Sequence, residues 1–153
     1  MDMKFLPTAL RYLRCLAMLS PFDAVDRAGE SWFTVEAVER WERGEKIPTF
    51  EQVVVIVETY RVGLTELQIL CEAFDVIPPG RVLEDPMGEE YQELPNDLKC
   101  FHILASVEPN TVMARAAFQA IRRETMVRRA VVNTEFQIAD LLFEAVRVGA
   151  AEP

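Results

Sequence analysis

The sequence predicts an all-α fold, and three of its features support that class. Apolar residues recur at intervals of three or four over most of the chain, which is the spacing of one helix face. Ser, Thr or Pro begins several of these segments and Gly ends several, as expected for helix caps. Half of the 153 residues are hydrophobic and 27% are charged, so the chain has enough apolar material for a buried core.

Five short helices are predicted before residue 76, each defined by an apolar stripe and by its end signals. Pro21 and Gly29 delimit the second helix, and Gly44 ends the third. Thr49 and Gln52 form a capping-box pattern at the fourth, which outweighs the strand propensity of its valines. The stripes are Leu6, Leu10, Leu13 and Ala17; Phe22, Val25 and Ala28; Val35, Val38 and Trp41; Phe50, Val53, Val54, Val57 and Tyr60; and Leu64, Leu67, Leu70, Cys71 and Phe74.

A segment rich in proline, glycine and acidic residues divides the predicted helices into two units. Residues 78–95 contain four prolines and two glycines, a composition typical of a linker or an exposed loop. The expected organisation is a helical domain at 1–76, a linker at 77–95 and a helical C-terminal unit at 96–150. Three helices are expected in the C-terminal unit, at 96–107, 111–132 and 135–148.

The last predicted helix begins at a Thr134-x-x-Gln137 capping pattern and ends at Gly149. Its large apolar residues cover more than one face, which fits either the centre of a bundle or a dimer interface. We expect part of this helix to lie at the two-fold interface of a homodimer. The residues assigned to dimerisation are Phe136, Ile138, Leu141, Leu142 and Phe143.

The formal net charge of −9 argues against a protein that coats nucleic acid through bulk charge, although it permits a local basic surface. Residues 111–134 form the only clearly basic segment, with five basic residues and one acidic residue. Its arginines either contact phosphates or an acidic partner, or form a solvated face that pairs with the acidic linker and tail. The second interpretation is favoured. These arginines are Arg115, Arg122, Arg123, Arg128 and Arg129.

Several functional classes lack support in the sequence. No apolar run approaches the roughly 20 residues that span a membrane, and Arg11 and Arg14 interrupt the apolar stretch that a signal peptide needs. Three cysteines without close spacing favour a reduced, cytoplasmic protein. His102 beside Cys100 is expected to be structural, because no further metal ligands cluster with it. Without a catalytic motif or a phosphate-binding glycine loop, the sequence predicts neither an enzyme nor a cofactor.

Two stretches within residues 6–74 carry a resemblance to a known family. They read LRYLRCLAMLSPFDAVDRAG at 10–29 and FTVEAVERWERGEKIPTFEQVVVIVETYRVGLTELQIL at 33–70. Five short helices, with Trp-Glu-Arg-Gly ending the third and Glu-Lys-Ile-Pro after it, resemble the Cro/cI-like helix-turn-helix family, also called XRE. The resemblance implies a five-helix DNA-binding domain in a cytoplasmic transcriptional regulator. Such a regulator binds an operator in double-stranded DNA as a homodimer.

The chain departs from this family in the turn before the third helix. Glu30-Ser31-Trp32 lengthens that turn by about three residues, and a widened turn with Trp resembles the BldD-like subfamily of developmental regulators. The C-terminal half lacks that subfamily's Arg-x-Asp signatures, so binding of a cyclic dinucleotide is not transferred to this chain.

The resemblance assigns roles to residues of the third helix and the turn after it. Arg40 would bond guanine, and Glu36 or Glu39 would accept a hydrogen bond from cytosine. Arg43 and Lys46 would contact phosphates. The residues facing the major groove would be Thr34, Val35, Glu36, Glu39 and Arg40.

The resemblance leads to two further expectations, one for a buried ion pair and one for repulsion of DNA. The family pattern pairs Arg14 of the first helix with Glu42, since a buried carboxylate needs a cationic partner. Glu36, Glu39 and Glu45 repel the DNA backbone, so nonspecific affinity for DNA should be weak. The alternative function is therefore a protein-interaction module that keeps the fold, has lost DNA binding, and sequesters or inhibits a protein partner.

Overall fold

The computed structural model describes residues 4–78 and 88–151, with side chains except at 129, 131–137, 139–140 and 143–151. These residues form helices and turns with no strand, so the predicted all-α class is confirmed. None of the described helices is both long enough and apolar enough to cross a membrane. The helices are α1 (Leu6–Leu16), α2 (Pro21–Ala28), α3 (Val35–Glu42), α4 (Phe50–Thr59), α5 (Leu64–Val76), α6 (Glu89–Gln92), α7 (Asn96–Ser106) and α8 (Val112–Ala151).

Local capping interactions define several helix ends in the first half of the chain. At α2, the Asp23 amide donates to Ser20 Oγ at 3.1 Å, and the Ser20 amide donates to the Asp23 carboxylate at 3.3 Å. Thr49 and Gln52 form the same reciprocal pair at α4, with distances of 3.2 and 3.0 Å. Gly29 ends α2 in the left-handed conformation, with φ of 67°, which glycine adopts without the steric cost of a Cβ.

One prediction for the C-terminal unit was wrong. α8 is a single helix of 40 residues, whereas the sequence predicted one helix ending at 132 and another beginning at 135. Thr134 and Gln137 therefore lie inside a helix rather than at its start, and Gly149 does not end it. Because no proline interrupts this stretch, main-chain hydrogen bonds pass through it and replace the isolated capping pattern.

One hydrophobic core contains residues from both units that the sequence separates. Tyr12 of α1 connects them directly, because its hydroxyl donates to the Val107 carbonyl at 2.9 Å. Within the first unit, its ring centroid lies 4.9 Å from that of Phe74. The segment at 77–95 therefore joins helices that share a core. The core residues contributed by α7 and α8 are Leu104, Ala105, Ala114, Ala117, Phe118 and Ile121.

Two arginines of α8 pair with acidic residues of other helices. Arg122 lies 3.6 Å from Glu66 of α5, and Arg128 lies 2.5 Å from Asp97 of α7. The hydrogen bond from Arg128 lowers the pKa of Asp97 from its usual value. The favoured interpretation, a solvated face that pairs with the acidic linker and tail, does not describe the ion pairs of these two arginines. Their partners lie in helices rather than in the linker or the tail that was expected.

Candidate nucleic-acid interface

Aromatic packing holds the turn between α2 and α3. The rings of Trp32 and Phe33 lie 6.2 and 5.3 Å from that of Trp41 in α3, both edge-on. Phe33 and Trp41 are 0% and 2% exposed. The longer turn therefore supplies an additional aromatic contact that fixes α3 against the core.

α3 presents an apolar face to the core and a polar face to the surface. Val38 and Trp41 are buried on the inner face. At the start of the helix, Thr34 Oγ1 accepts a hydrogen bond from the Ala37 amide at 3.1 Å. Among the five residues assigned to the major groove, Val35 is partly buried, and the exposed ones are Thr34, Glu36, Glu39 and Arg40.

Glu45 pairs with both arginines at the end of α3. Its carboxylate lies 3.0 Å from Arg43 Nε and 3.9 Å from Arg40 Nε. Gly44 adopts a left-handed φ of 74°, and the Glu45 amide donates to the Arg40 carbonyl at 3.0 Å. The chain thus turns back over the last turn of α3. The sequence pattern identifies Glu45 only as a charge that repels DNA. Its position directly after Gly44, the glycine that ends α3, is the signal that could have indicated its contact with Arg40 and Arg43.

The charges around α3 are balanced. Arg40 and Arg43 are 45% and 57% exposed, so solvent screens their ion pairs with Glu45, and these pairs contribute little to stability. Lys46 is exposed and has no ion-pair partner among the described side chains. The exposed charges of this surface are three carboxylates, Glu36, Glu39 and Glu45, and three cations, Arg40, Arg43 and Lys46.

Arg14 of α1 and Glu42 of α3 form a bidentate ion pair. Arg14 Nε and Nη2 donate to the two carboxylate oxygens at 2.5 and 3.0 Å, and Nη1 donates to the Leu19 carbonyl at 2.9 Å. The two side chains are only 11% and 12% exposed. Burial alone lowers the pKa of Arg14, but the hydrogen bond and charge of Glu42 outweigh burial and raise it. The pair therefore ties the end of α3 to α1.

The residues assigned to dimerisation lie on the distal part of α8. At about 1.5 Å per residue, this helix extends about 60 Å, and Ile121 is the last of its described side chains that is buried. Ile138, Leu141 and Leu142 are 52%, 71% and 63% exposed. The side chains of Phe136 and Phe143 lie outside the described residues. In the single chain, this part of α8 thus presents large apolar groups to solvent.

The described residues contain no group of three or more His, Cys, Asp or Glu side chains arranged to hold a metal ion. Cys15, Cys71 and Cys100, all within the described residues, are not joined by disulfide bonds. His102 is 5% exposed, and its ring centroid lies 5.9 Å from that of Tyr91. His102 therefore contributes to packing between α6 and α7.

No protein-family model matches the chain, and comparisons with curated proteins and with solved structures found no match. A functional proposal therefore rests on the geometry of α2 and α3 and on the charges around them.

Proposed function

We propose that this chain is a cytoplasmic transcriptional regulator of the Cro/cI-like helix-turn-helix type that binds an operator in double-stranded DNA as a homodimer. The observation that carries the proposal is the outer face of α3, which is polar and exposed while Val38 and Trp41 anchor the inner face. A helix held in this way can enter the major groove and present its polar side chains to base edges.

The charge balance at α3 predicts how such binding would divide between base and phosphate contacts. For Arg40 and Arg43, a phosphate contact involves exchange with the Glu45 carboxylate, which lies 3.9 and 3.0 Å from their Nε atoms and competes for them. Lys46 needs no such exchange. We therefore expect weak nonspecific binding, with affinity that depends on base contacts more than on the phosphate backbone.

Selection from a randomised double-stranded DNA library with the full chain tests the proposal. Enrichment of a sequence with two related half-sites, about one helical turn apart or a multiple of it, is the expected result for a two-fold dimer. Failure to enrich any sequence, with the chain folded and in excess, would reject DNA binding.

Substitutions of Arg40 and Lys46 are expected to remove different contributions to DNA binding. Arg40→Ala should cost about 1–3 kcal/mol and relax selection at one base pair, because a bidentate guanine contact is lost. Lys46→Ala should weaken binding equally on all sequences and reduce the salt slope by about one. Salt-dependent titrations of both variants on the selected site measure these effects. Equal losses of selectivity in the two variants would contradict the assigned roles.

Glu45→Gln is expected to strengthen DNA binding. The substitution releases Arg40 and Arg43 from their carboxylate and removes one repulsive charge, so nonspecific affinity and the salt slope should both rise. Asp75→Asn is the matched control, because it removes one negative charge from the exposed surface of α5. If both variants gain equally, the gain comes from net charge and the contact of Glu45 with the arginines is irrelevant to DNA.

A second candidate function is an interaction module that binds a protein and no DNA. The charge balance at α3 favours it, since Glu36, Glu39 and Glu45 together offset the three cations, and Glu45 lies against two of them. A photo-crosslinking amino acid at the exposed position Glu39 distinguishes the two in cells. DNA adducts support the regulator, whereas protein adducts without DNA adducts support the interaction module.

A further inference from the structure

A cleft lies where α1, the turn between α4 and α5, and the first half of α8 meet. Its volume is about 200 Å³. Leu13 and Leu16 of α1 and Phe118 of α8 give it apolar walls. The charged and amide side chains at its walls are Arg61, Arg115, Gln119 and Arg122.

The cleft is positively charged in a chain that is acidic as a whole. Its lining contains three arginines and no Asp or Glu, whereas the chain has 16 basic and 25 acidic residues. Arg122 is 3.6 Å from Glu66, which lies outside the lining. Arg61 and Arg115 have no ion-pair partner in the part of the chain that the structure describes. With Glu66 included, the charge around the cleft is about +2.

Arg115 has one N–H group without a hydrogen-bond acceptor among the described residues. The nitrogen of this group, Nε, is buried. A buried N–H without an acceptor carries a desolvation cost that a hydrogen bond would remove. Arg115 lines the cleft, so a turn of its side chain toward a bound acceptor would supply that bond.

Arg61 occupies a backbone position where glycine is usual. It follows the end of α4 with φ of 57°, in the left-handed region that is sterically unfavourable for residues with a Cβ. Its side chain is exposed, so burial does not explain an arginine at this position.

We infer that this cleft binds a small organic phosphate, a phosphate monoester carried on a compact apolar body. Such a group is largely a dianion at neutral pH, because its second pKa is about 6, and two negative charges match the net charge of the cleft. The guanidinium groups of Arg61 and Arg115 donate to the phosphate oxygens, and the apolar body packs against the partly exposed Leu16 and Ala17. This site is separate from α3 and does not depend on DNA binding.

NMR titration of the full chain with phenyl phosphate tests the inference. We expect saturable shifts of the Arg115 Nε–H signal and of the Gln119 side-chain amide. Inorganic phosphate should bind more weakly than phenyl phosphate because it has no apolar group to contact the walls. Benzoate should also bind more weakly than phenyl phosphate because it carries only one negative charge. Tighter binding of benzoate than of phenyl phosphate would overturn the choice of phosphate.

Two variants and a control locate the site. Arg115→Gln and Arg61→Gly should each weaken phenyl phosphate binding by about tenfold or more. Arg61→Gly should also leave the thermal midpoint unchanged or higher, since glycine suits the left-handed position. Arg123→Gln is the control, because Arg123 is exposed on α8 and outside the lining. The inference fails if all three variants bind equally, or if millimolar phenyl phosphate shifts no cleft signal in the unaltered chain.

Discussion

Replacing Glu42 by alanine is expected to lower the free energy of unfolding by about 3–5 kcal/mol. The substitution leaves the Arg14 guanidinium, 11% exposed, without the carboxylate that accepts two of its hydrogen bonds. One bond from Arg14, to the Leu19 carbonyl, remains. Urea unfolding followed by circular dichroism measures the effect, and the slope against urea concentration should stay constant if the folded state is unchanged.

Glu39→Ala is the matched control, since Glu39 lies on the exposed face of the same helix. It should change the free energy of unfolding by no more than about 0.5 kcal/mol. The double variant Arg14→Met, Glu42→Leu should recover most of the loss, because no buried charge is left unpaired. Equal, small losses in Glu42→Ala and Glu39→Ala would show that the ion pair does not hold α3 to α1.

Replacing Leu141 and Leu142 together by glutamate is expected to convert a dimer into a monomer. Both side chains are mostly exposed in the single chain, so the change should leave the fold of the monomer intact. In a dimer, burial of each leucine contributes about 1.5–3 kcal/mol and the new carboxylates repel each other, so the dissociation constant should rise by at least about 100-fold. Sedimentation equilibrium over a range of concentrations measures it.

Met113→Glu is the control for this change, because Met113 lies on the same helix, is 57% exposed and is far from the distal segment. It should leave the association unchanged. If the unaltered chain is monomeric at high concentration, or if the double variant dimerises as tightly as the control, the distal part of α8 is not the dimer interface.

Local sequence was sufficient for the all-α class and for the ends of the early helices. The hydroxyl groups of Ser20 and Thr49 accept hydrogen bonds from amides three residues away. Gly29 ends α2 through its own left-handed φ angle. The apolar stripes likewise depend only on the spacing of neighbouring residues, which is why Leu6, Leu10 and Leu13 are buried together. The contact of Glu45 with Arg40 and Arg43 is also local, and it was missed because the turn made by Gly44 was interpreted only as a helix stop.

The prediction of two separate helices after residue 111 was wrong because a capping pattern lies within a continuous helix. The capping pattern at Thr134 predicted the start of a new helix. A capping side chain stabilises a helix end only where the helix begins at that residue. Residues 112–148 contain no proline or glycine, so the main-chain hydrogen bonds of α8 continue through this position.

The sequence by itself thus determined the helical class, because short-range spacing and caps encode it. The expected Arg14–Glu42 pair, which joins residues 28 positions apart, came from the family resemblance. Only the tertiary structure decided that the helices after the acidic segment share a core with those before it. It also decided that Arg61 and Arg115, from opposite halves of the chain, line one cleft. Such contacts depend on how α1, α5 and α8 pack, and packing is set by the summed burial of side chains rather than by signals within one segment.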